Sequence, residues 1–327
     1  MGQLAAIPML TLALLLSGCE EPSLDSPKKA SFAEEDTSFT ATAKAASAWL
    51  EGSDDDNGFY PLTSGIDAFG ARLALMAAAE VTIDAQYFLM KPDRAGRLFA
   101  RELLRAAQRG VRVRLLLDDI YTTVSYSDLA ELNQHRNIEV RIFNPISREG
   151  IYRLNFLRNF GLANHRMHNK AFVVDNQVAI VGGRNIASEY FQLENGTEFI
   201  DFDMLSAGPI VRWVSAEFDT YWNHLLALPL EALRQGVQQH DGQGEEVDGR
   251  AVYAKVMQAP LITQFFDNKL EPYSARGELV TDKPAKLMAE ASAEQQIVVN
   301  TMRSAMNSAE KEIIIFTPVS YTHLRAH

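Results

Sequence analysis

His168 and Lys170 stand two residues apart in the run His165-Arg166-Met167-His168-Asn169-Lys170-Ala171-Phe172-Val173-Val174-Asp175, and Gly182-Gly183-Arg184-Asn185 follows. An imidazole is a nucleophile at neutral pH and an ammonium is a compact cation. The pair therefore suits attack on a centre whose negative oxygens must be held. On an extended strand alternate side chains share a face, so the two groups point the same way, roughly 6 to 7 Å apart along the backbone. A single phosphate group bridges that separation. Gly182 and Gly183 let the chain turn without side-chain bulk, and the Asn185 amide can donate to an oxyanion. Between Arg153 and Arg184 the chain carries Arg153, Arg158, Arg166, Lys170 and Arg184 against Asp175 as the only carboxylate, within a protein of net charge -11. A basic pocket on an acidic chain fits a small anionic group. An isolated histidine would sooner be read as a core residue, and an isolated lysine as one that snorkels. Here the surrounding charge and glycines favour chemistry. His165-x-x-His168 has no third ligand at a usual spacing, so no metal is expected.

These groups need a scaffold. Val173-Val174 and Val178 to Val181 are β-branched runs around Asp175-Asn176-Gln177, which predicts a buried hairpin. Upstream, the spacing predicts helices over 66–79, 95–108 and 125–135 and strands over 81–89, 111–117 and 138–143. Downstream it predicts a short helix over 187–191, a strand over 199–205 and a helix over 210–225 whose aromatic stripe is core. Helix and strand alternate, so the expected class is α/β, a sheet covered on both faces. Residues 235–249 read as a polar surface insertion and 251–284 resist assignment. A helix over 291–309 leads into a strand from Glu312 to Pro318. At an offset of 232 residues this strand repeats Glu80, Val81 and Ile83 as Glu312, Ile313 and Ile315.

The pattern His-x-Lys-x4-Asp, six residues, then Gly-Gly-x-Asn resembles the active-site signature of the phospholipase D superfamily. Ile83-Asp84-Ala85-Gln86-Tyr87 and the run from Arg109 to Asp119 resemble segments of its cardiolipin synthase branch, and the likeness covers roughly residues 59 to 225. The resemblance implies a phospholipase D-like α/β/α sandwich with one complete lobe plus the start of a second. It implies that His168 attacks phosphorus to give a phosphohistidine, while Lys170 and Asn185 hold the non-bridging oxygens. Asp175 is then expected to organise the strand end and Lys170. Asp201 is expected to hold the histidine through its other ring nitrogen. Gly182, Gly183, Arg184 and Arg166 would bind substrate. No cofactor is implied. The substrate would be a phospholipid, giving cardiolipin with a phosphatidylglycerol hydroxyl as acceptor or phosphatidic acid with water. Two-lobed members build one site from both lobes. Only His168 has a lysine two residues on, so the partner groups would come from a second lobe in cis, missing here, or from a homodimer.

Composition narrows the alternatives. With 327 residues, 47% of them apolar, the chain can build a substantial core. Its 31 basic residues against 42 acidic ones disfavour a polyanion partner, so no nucleic acid is expected and a superfamily nuclease is demoted. A phospholipase D-type hydrolase and a non-catalytic lipoprotein scaffold stay open. The single cysteine, Cys19, excludes an intramolecular disulfide framework. Leu4 to Leu16 is apolar but too short to span a bilayer, and Leu16-Ser17-Gly18-Cys19 resembles a bacterial lipobox. This implies a signal peptide over 1–18 and lipidation of Cys19. Glu20 follows in place of an inner-membrane retention aspartate, so the expected address is a membrane-anchored lipoprotein on the periplasmic face, with the outer membrane favoured. Residues 19–58 read as a tether containing a short helix over 41–50. Asp54-Asp55-Asp56-Asn57-Gly58 lacks the ligand alternation of a calcium loop. The remaining layout is a first lobe over 59–300, the start of a second over 301–318, and a tail over 319–327 that resembles translated sequencing-adapter read-through.

Overall fold

The computed structural model describes residues 26–51, 56–146, 166–193, 199–233, 249–258, 260–284 and 297–313. Cys19, the lipobox, Arg153, Arg158, His165, the 235–248 insertion and the 319–327 tail lie outside the described residues.

Nine strands among the described residues form one mixed sheet in the order β8-β4-β3-β2-β5-β6-β7-β1-β9. In chain order they are β1 (Asn57–Leu62), β2 (Thr82–Tyr87), β3 (Arg112–Asp118), β4 (Ile138–Phe143), β5 (Ala171–Val174), β6 (Val178–Gly182), β7 (Asp203–Ala207), β8 (Ala227–Pro229) and β9 (Tyr273–Ala275). Helices α1 (Ala41–Trp49), α2 (Gly65–Ala78), α3 (Arg94–Gln108), α4 (Tyr126–Asn133), α5 (Ile210–Trp222), α6 (Gly249–Met257), α7 (Pro260–Phe266) and α8 (Ile297–Ser308) accompany it. Side-chain alternation along β5 separates the two cores. Phe172 and Val174 face the large core with Phe69, Leu73, Phe99 and Leu103 of α2 and α3. Ala171 and Val173 face a smaller one with Ile210, Val211 and Val214 of α5. Period 2 on the strand and 3.6 on the helices give the α/β/α sandwich that the sequence implies. Each such fully buried aliphatic or aromatic side chain contributes roughly 1.5–3 kcal/mol.

Strand directions bring the chemistry to one edge. β2, β3 and β4 run parallel, whereas β5 is antiparallel to β2 with Ala171 opposite Gln86. β6 returns with Val181 opposite Ala171, and β7 sets Asp203 against Gly182. The entry to β5, the exit of β6 and the entry to β7 therefore meet beyond the carboxyl ends of β2 and β3, where open α/β sheets place their sites. At the far bend Asp175 and Asn176 adopt φ of 50° and 52°, the left-handed values that mirror-image hairpin turns require.

Three expectations are corrected. The stretch read as a tether is packed from residue 26 to 51: Thr37, Thr42 and Trp49 are buried, and the Trp49 indole donates to the Leu270 carbonyl at 2.6 Å. Its Ser- and Ala-rich composition conceals this, because small side chains let α1 lie close. The strand expected over 199–205 begins only at Asp203, since the Asp201 carboxylate accepts the N–H of Phe202 at 2.8 Å and bends the preceding residues away. The lobe boundary expected at 300/301 falls inside α8, a continuous helix with none of its residues buried.

Candidate active site

His168 and Lys170 lie in the three residues before β5, and their side chains meet. Lys170 Nζ is 3.2 Å from His168 Nδ1 and donates to the His168 carbonyl at 2.8 Å. Lys170 is buried at 5% exposure and lies 5.2 Å from the Phe88 ring centroid, while the His168 ring is 4.7 Å from the same ring. Phe88, just past β2, is thus the floor on which both groups rest. Burial, and then the neighbouring ammonium, pushes His168 down to about 4. The imidazole is neutral at physiological pH, with a lone pair available. Burial likewise lowers Lys170 to about 8, against the raising effect of Asp201, Asp118 and Asp203.

The glycine pair is a matter of space. A Cβ on Gly182 would meet Asp203 Oδ1 at 2.1 Å and Asp203 Cα at 2.5 Å, and one on Gly183 would meet Asp201 Oδ1 at 2.0 Å. Their absent side chains let β7 and the Asp201 carboxylate close over the exit of β6. Asn185 is oriented from both ends: its carbonyl oxygen accepts from Leu89 N–H at 3.2 Å and its amide donates to the Tyr190 hydroxyl at 3.1 Å.

Other expected site residues serve different ends. Arg184 is buried with its guanidinium on the Leu62 and Thr63 carbonyls at 2.8 Å each, and 3.5 Å from Asp203, so it ties β1 to the loop instead of lining a substrate pocket. Arg166 donates to the Asn144 carbonyl at 2.8 Å and to Asp118 at 3.3 Å, anchoring the segment that leads to His168. Two members of the expected basic pocket are thus engaged by protein acceptors. Among the described residues Lys170 is the cation that faces the imidazole.

Asp175 stands at the opposite end of β5, about five strand rises or ~16 Å from Lys170. Its buried carboxylate accepts from the N–H groups of Val81 at 2.8 Å and Thr82 at 3.0 Å, from Glu80 N–H at 3.2 Å, and from the Thr42 hydroxyl at 2.8 Å. It ties the end of β5 to the start of β2 and makes no bond to Lys170. Asp201 lies over Gly183 and is the carboxylate that acts most on Lys170, while the Nδ1 of His168 is occupied by Lys170 itself.

Sequence reasoning missed the support beneath. Asp118, at the end of β3, accepts from the N–H of Met167 at 2.9 Å and of Ile120 at 3.1 Å, so it grips the residue preceding His168. Burial raises it to about 7. Asp203 takes Arg72 at 3.0 Å and the Arg184 N–H at 3.2 Å, and Arg72 also donates to the Tyr87 hydroxyl at 2.9 Å. The position of Asp118 just past a buried strand was the available signal. Nothing in the spacing of Arg72 pointed to Asp203.

The family model described as "Cardiolipin synthase, PLD-like domain" matches residues 73–222. Cardiolipin synthase C of Escherichia coli (strain K12) is 38% identical over 237 residues, covering 70% of this chain and 50% of that protein. The cardiolipin synthase of Geobacillus kaustophilus is 32% identical over 165 residues, covering 50% of this chain and 31% of that protein. Among solved structures, Nuc from Salmonella typhimurium, a phospholipase D family member, matches with a TM-score of 0.35 and 19% identity over 53% of this chain and 95% of that one. The chain spans half or less of the length of these two curated relatives. The matched span runs from within α2 to the end of α5 and so encloses the hairpin, His168, Lys170, Asn185, Asp118 and Asp201. The chain belongs to the phospholipase D superfamily, in its cardiolipin synthase-like branch.

Proposed function

We propose that the protein transfers a phosphatidyl group through a phosphohistidine at His168, with a glycerophospholipid as donor. The observation that carries this reading is the neutral imidazole held 3.2 Å from the Lys170 ammonium. An entering phosphodiester takes the ammonium onto a non-bridging oxygen. The ring then adopts the tautomer with its proton on Nδ1, the role proposed for Asp201 being to accept it, and Nε2 attacks. The new N–P bond forms as the P–O bond to the leaving alcohol breaks. That alcohol needs a proton, which a second phospholipase D-like lobe or a second copy of the chain supplies. A hydroxyl of phosphatidylglycerol then gives its proton to that same group, now a base, and forms the new P–O bond as the N–P bond breaks, giving cardiolipin and free His168. The relatives named cardiolipin synthases support this acceptor over water. The proposed address is a membrane surface reached through lipidated Cys19; no helix among the described residues is long and apolar enough to cross a membrane.

The two halves are tested separately. Bis(p-nitrophenyl) phosphate has a leaving group that needs no proton donor, so the chain should release one equivalent of p-nitrophenolate and carry the phosphoryl adduct on His168, detected by mass spectrometry. His168→Ala should release none, and an adduct on another residue overturns the mechanism. Labelled phosphatidylglycerol followed by thin-layer chromatography distinguishes cardiolipin with free glycerol, as expected, from phosphatidic acid alone, which would make the protein a hydrolase.

A further inference from the structure

The Tyr190 hydroxyl accepts the Asn185 amide at 3.1 Å, and among the described residues no group accepts the hydroxyl's own proton. A phenolic hydrogen lies in the plane of its ring and takes one of two positions. With Asn185 donating from one side, the O–H is turned to the other. The residue is held firmly. Tyr190 closes the single turn Ser188–Tyr190, which follows the Gly182-Gly183-Arg184-Asn185 loop. Its N–H donates to the Ala187 carbonyl at 3.0 Å, its carbonyl accepts from the Arg184 guanidinium at 3.3 Å, and its ring lies 5.0 Å from that of Phe199. A Cβ on Gly65 would meet the Tyr190 carbonyl at 2.7 Å, so α2 begins hard against this turn. Burial raises the phenol above its ordinary value, against the lowering effect of the Asn185 bond and of Lys91 and with Glu189 and Asp201 adding to the rise. The hydroxyl therefore keeps its proton at neutral pH. Asp201 is also the carboxylate that acts most on Lys170, so phenol and ammonium share one electrostatic neighbourhood.

We propose that Tyr190 is a further catalytic residue, whose O–H donates to a non-bridging oxygen of the phosphoryl group beside Asn185 while its oxygen positions the Asn185 amide. The inference rests on the phosphoryl-transfer reading above and adds to it a donor that the His-x-Lys signature does not contain. Attack on a phosphodiester gathers further negative charge on the non-bridging oxygens, and donors already in place there lower the barrier. Arg166 and Arg184 are engaged by protein acceptors, which leaves Lys170 as the cation that faces the imidazole among the described residues. A second cation beside it would push both Lys170 and His168 lower still. A neutral phenol supplies a hydrogen bond without that cost. Accepting from Asn185 also polarises the phenol, so its own O–H becomes the stronger donor. No proton changes hands at Tyr190: the phenol keeps its hydrogen while the N–P bond forms and the P–O bond to the leaving alcohol breaks.

The test measures binding of vanadate, which takes up the trigonal-bipyramidal geometry of phosphorus under attack, to the full chain by calorimetry. Tyr190→Phe should weaken binding by about tenfold with an unchanged circular dichroism spectrum, and should slow p-nitrophenolate release by about 10²-fold. A trifluorinated tyrosine at position 190 separates donation from support of Asn185. Its oxygen still accepts from Asn185, but its more acidic phenol ionises as pH rises, so vanadate affinity relative to the unmodified chain should fall with pH. A ratio that stays level shows a phenol that only accepts, and overturns the proposal. Equal affinity in Tyr190→Phe, or no vanadate binding by the unmodified chain, overturns it as well. The two readings part in the p-nitrophenolate assay. An adduct on His168 formed equally fast in Tyr190→Phe sinks the proposal alone; vanadate held through Tyr190 with no adduct on His168 supports the phenol as donor and sinks the phosphohistidine.

Discussion

The pairing of His168 with Lys170 makes each the other's regulator. Protonated imidazole cannot attack phosphorus, and deprotonated lysine cannot neutralise its oxygens. Because burial and mutual repulsion hold the first near 4 and burial holds the second near 8, adduct formation should rise as pH climbs through about 4, stay level, and fall as pH passes about 8. A pH profile of p-nitrophenolate release measures this, and a rising limb near 6.5 would mean an unperturbed histidine. Lys170→Ala should slow the same step by about 10²- to 10³-fold, the usual effect of removing one charge-stabilising donor, while binding changes little. Asp201→Asn tests the tautomer role: an asparagine carbonyl oxygen can still accept from Nδ1 but no longer balances an imidazolium, so the rate should fall, and the alkaline limb should move to lower pH because Lys170 loses the carboxylate that most raises it. That His168 and Lys170 share one face was legible from residue types and spacing, whereas the part given to Asp201 came from the resemblance. The tasks of Arg166 and Arg184 were not legible, because a sequence shows a cation but not the carbonyls and buried carboxylates that engage it.

The hairpin β5–β6 shows how a signature can join unlike tasks. His168, Lys170 and Asn185 lie at its open end and Asp175 at its bend, so the third fixed residue of the pattern works on structure at a distance from the chemistry. Asp175→Ala would leave several N–H groups and a hydroxyl without their acceptor. At about 1–3 kcal/mol for each buried unsatisfied group, the chain should lose several kcal/mol in urea unfolding, while the folded fraction still forms the His168 adduct. Gly182→Ala should behave differently. Its Cβ is driven into Asp203 at 2.1 Å, so both stability and adduct formation should suffer, the former by about 1–3 kcal/mol. The helices α2 to α5 and the strands β2 to β6 followed from periodicity, since each presents an apolar face to the core. The strand β1 was harder to see because Gly58 and Pro61 interrupt its pattern, α6 and α7 because their short runs acquire meaning only against α1 and α2, and β9 because it acquires meaning only as the partner of β1.

At the scale of the molecule, the N-terminal segment is part of the fold. Lys28 donates to the Ala227 carbonyl at 2.9 Å, Ser31 bonds Asn223 and Trp222, and its carbonyl accepts from the buried Arg114, which also forks onto Asp84 at 2.6 and 2.7 Å. A chain begun at residue 59, where the sequence places the start of the folded part, would strip these partners from buried arginines and uncover Leu270 and Phe265. Thermal unfolding of that truncation should show a transition many degrees below that of the whole chain, because several buried polar groups lose their acceptors together. Composition could not reveal this, since alanine, serine and threonine serve equally in a loose linker and in a close-packed strap.

The mirror-image bend at Asp175 and Asn176 has a further consequence. Strand side chains alternate, so adding or deleting one amino acid there would rotate the remainder of β6 by half a turn. Phe172 and Ile180 could no longer face the same core, and Asn185 would leave the rim on which it now stands. A change in length of a single codon, made far from any reacting atom, should disarm the protein more completely than most substitutions beside the imidazole.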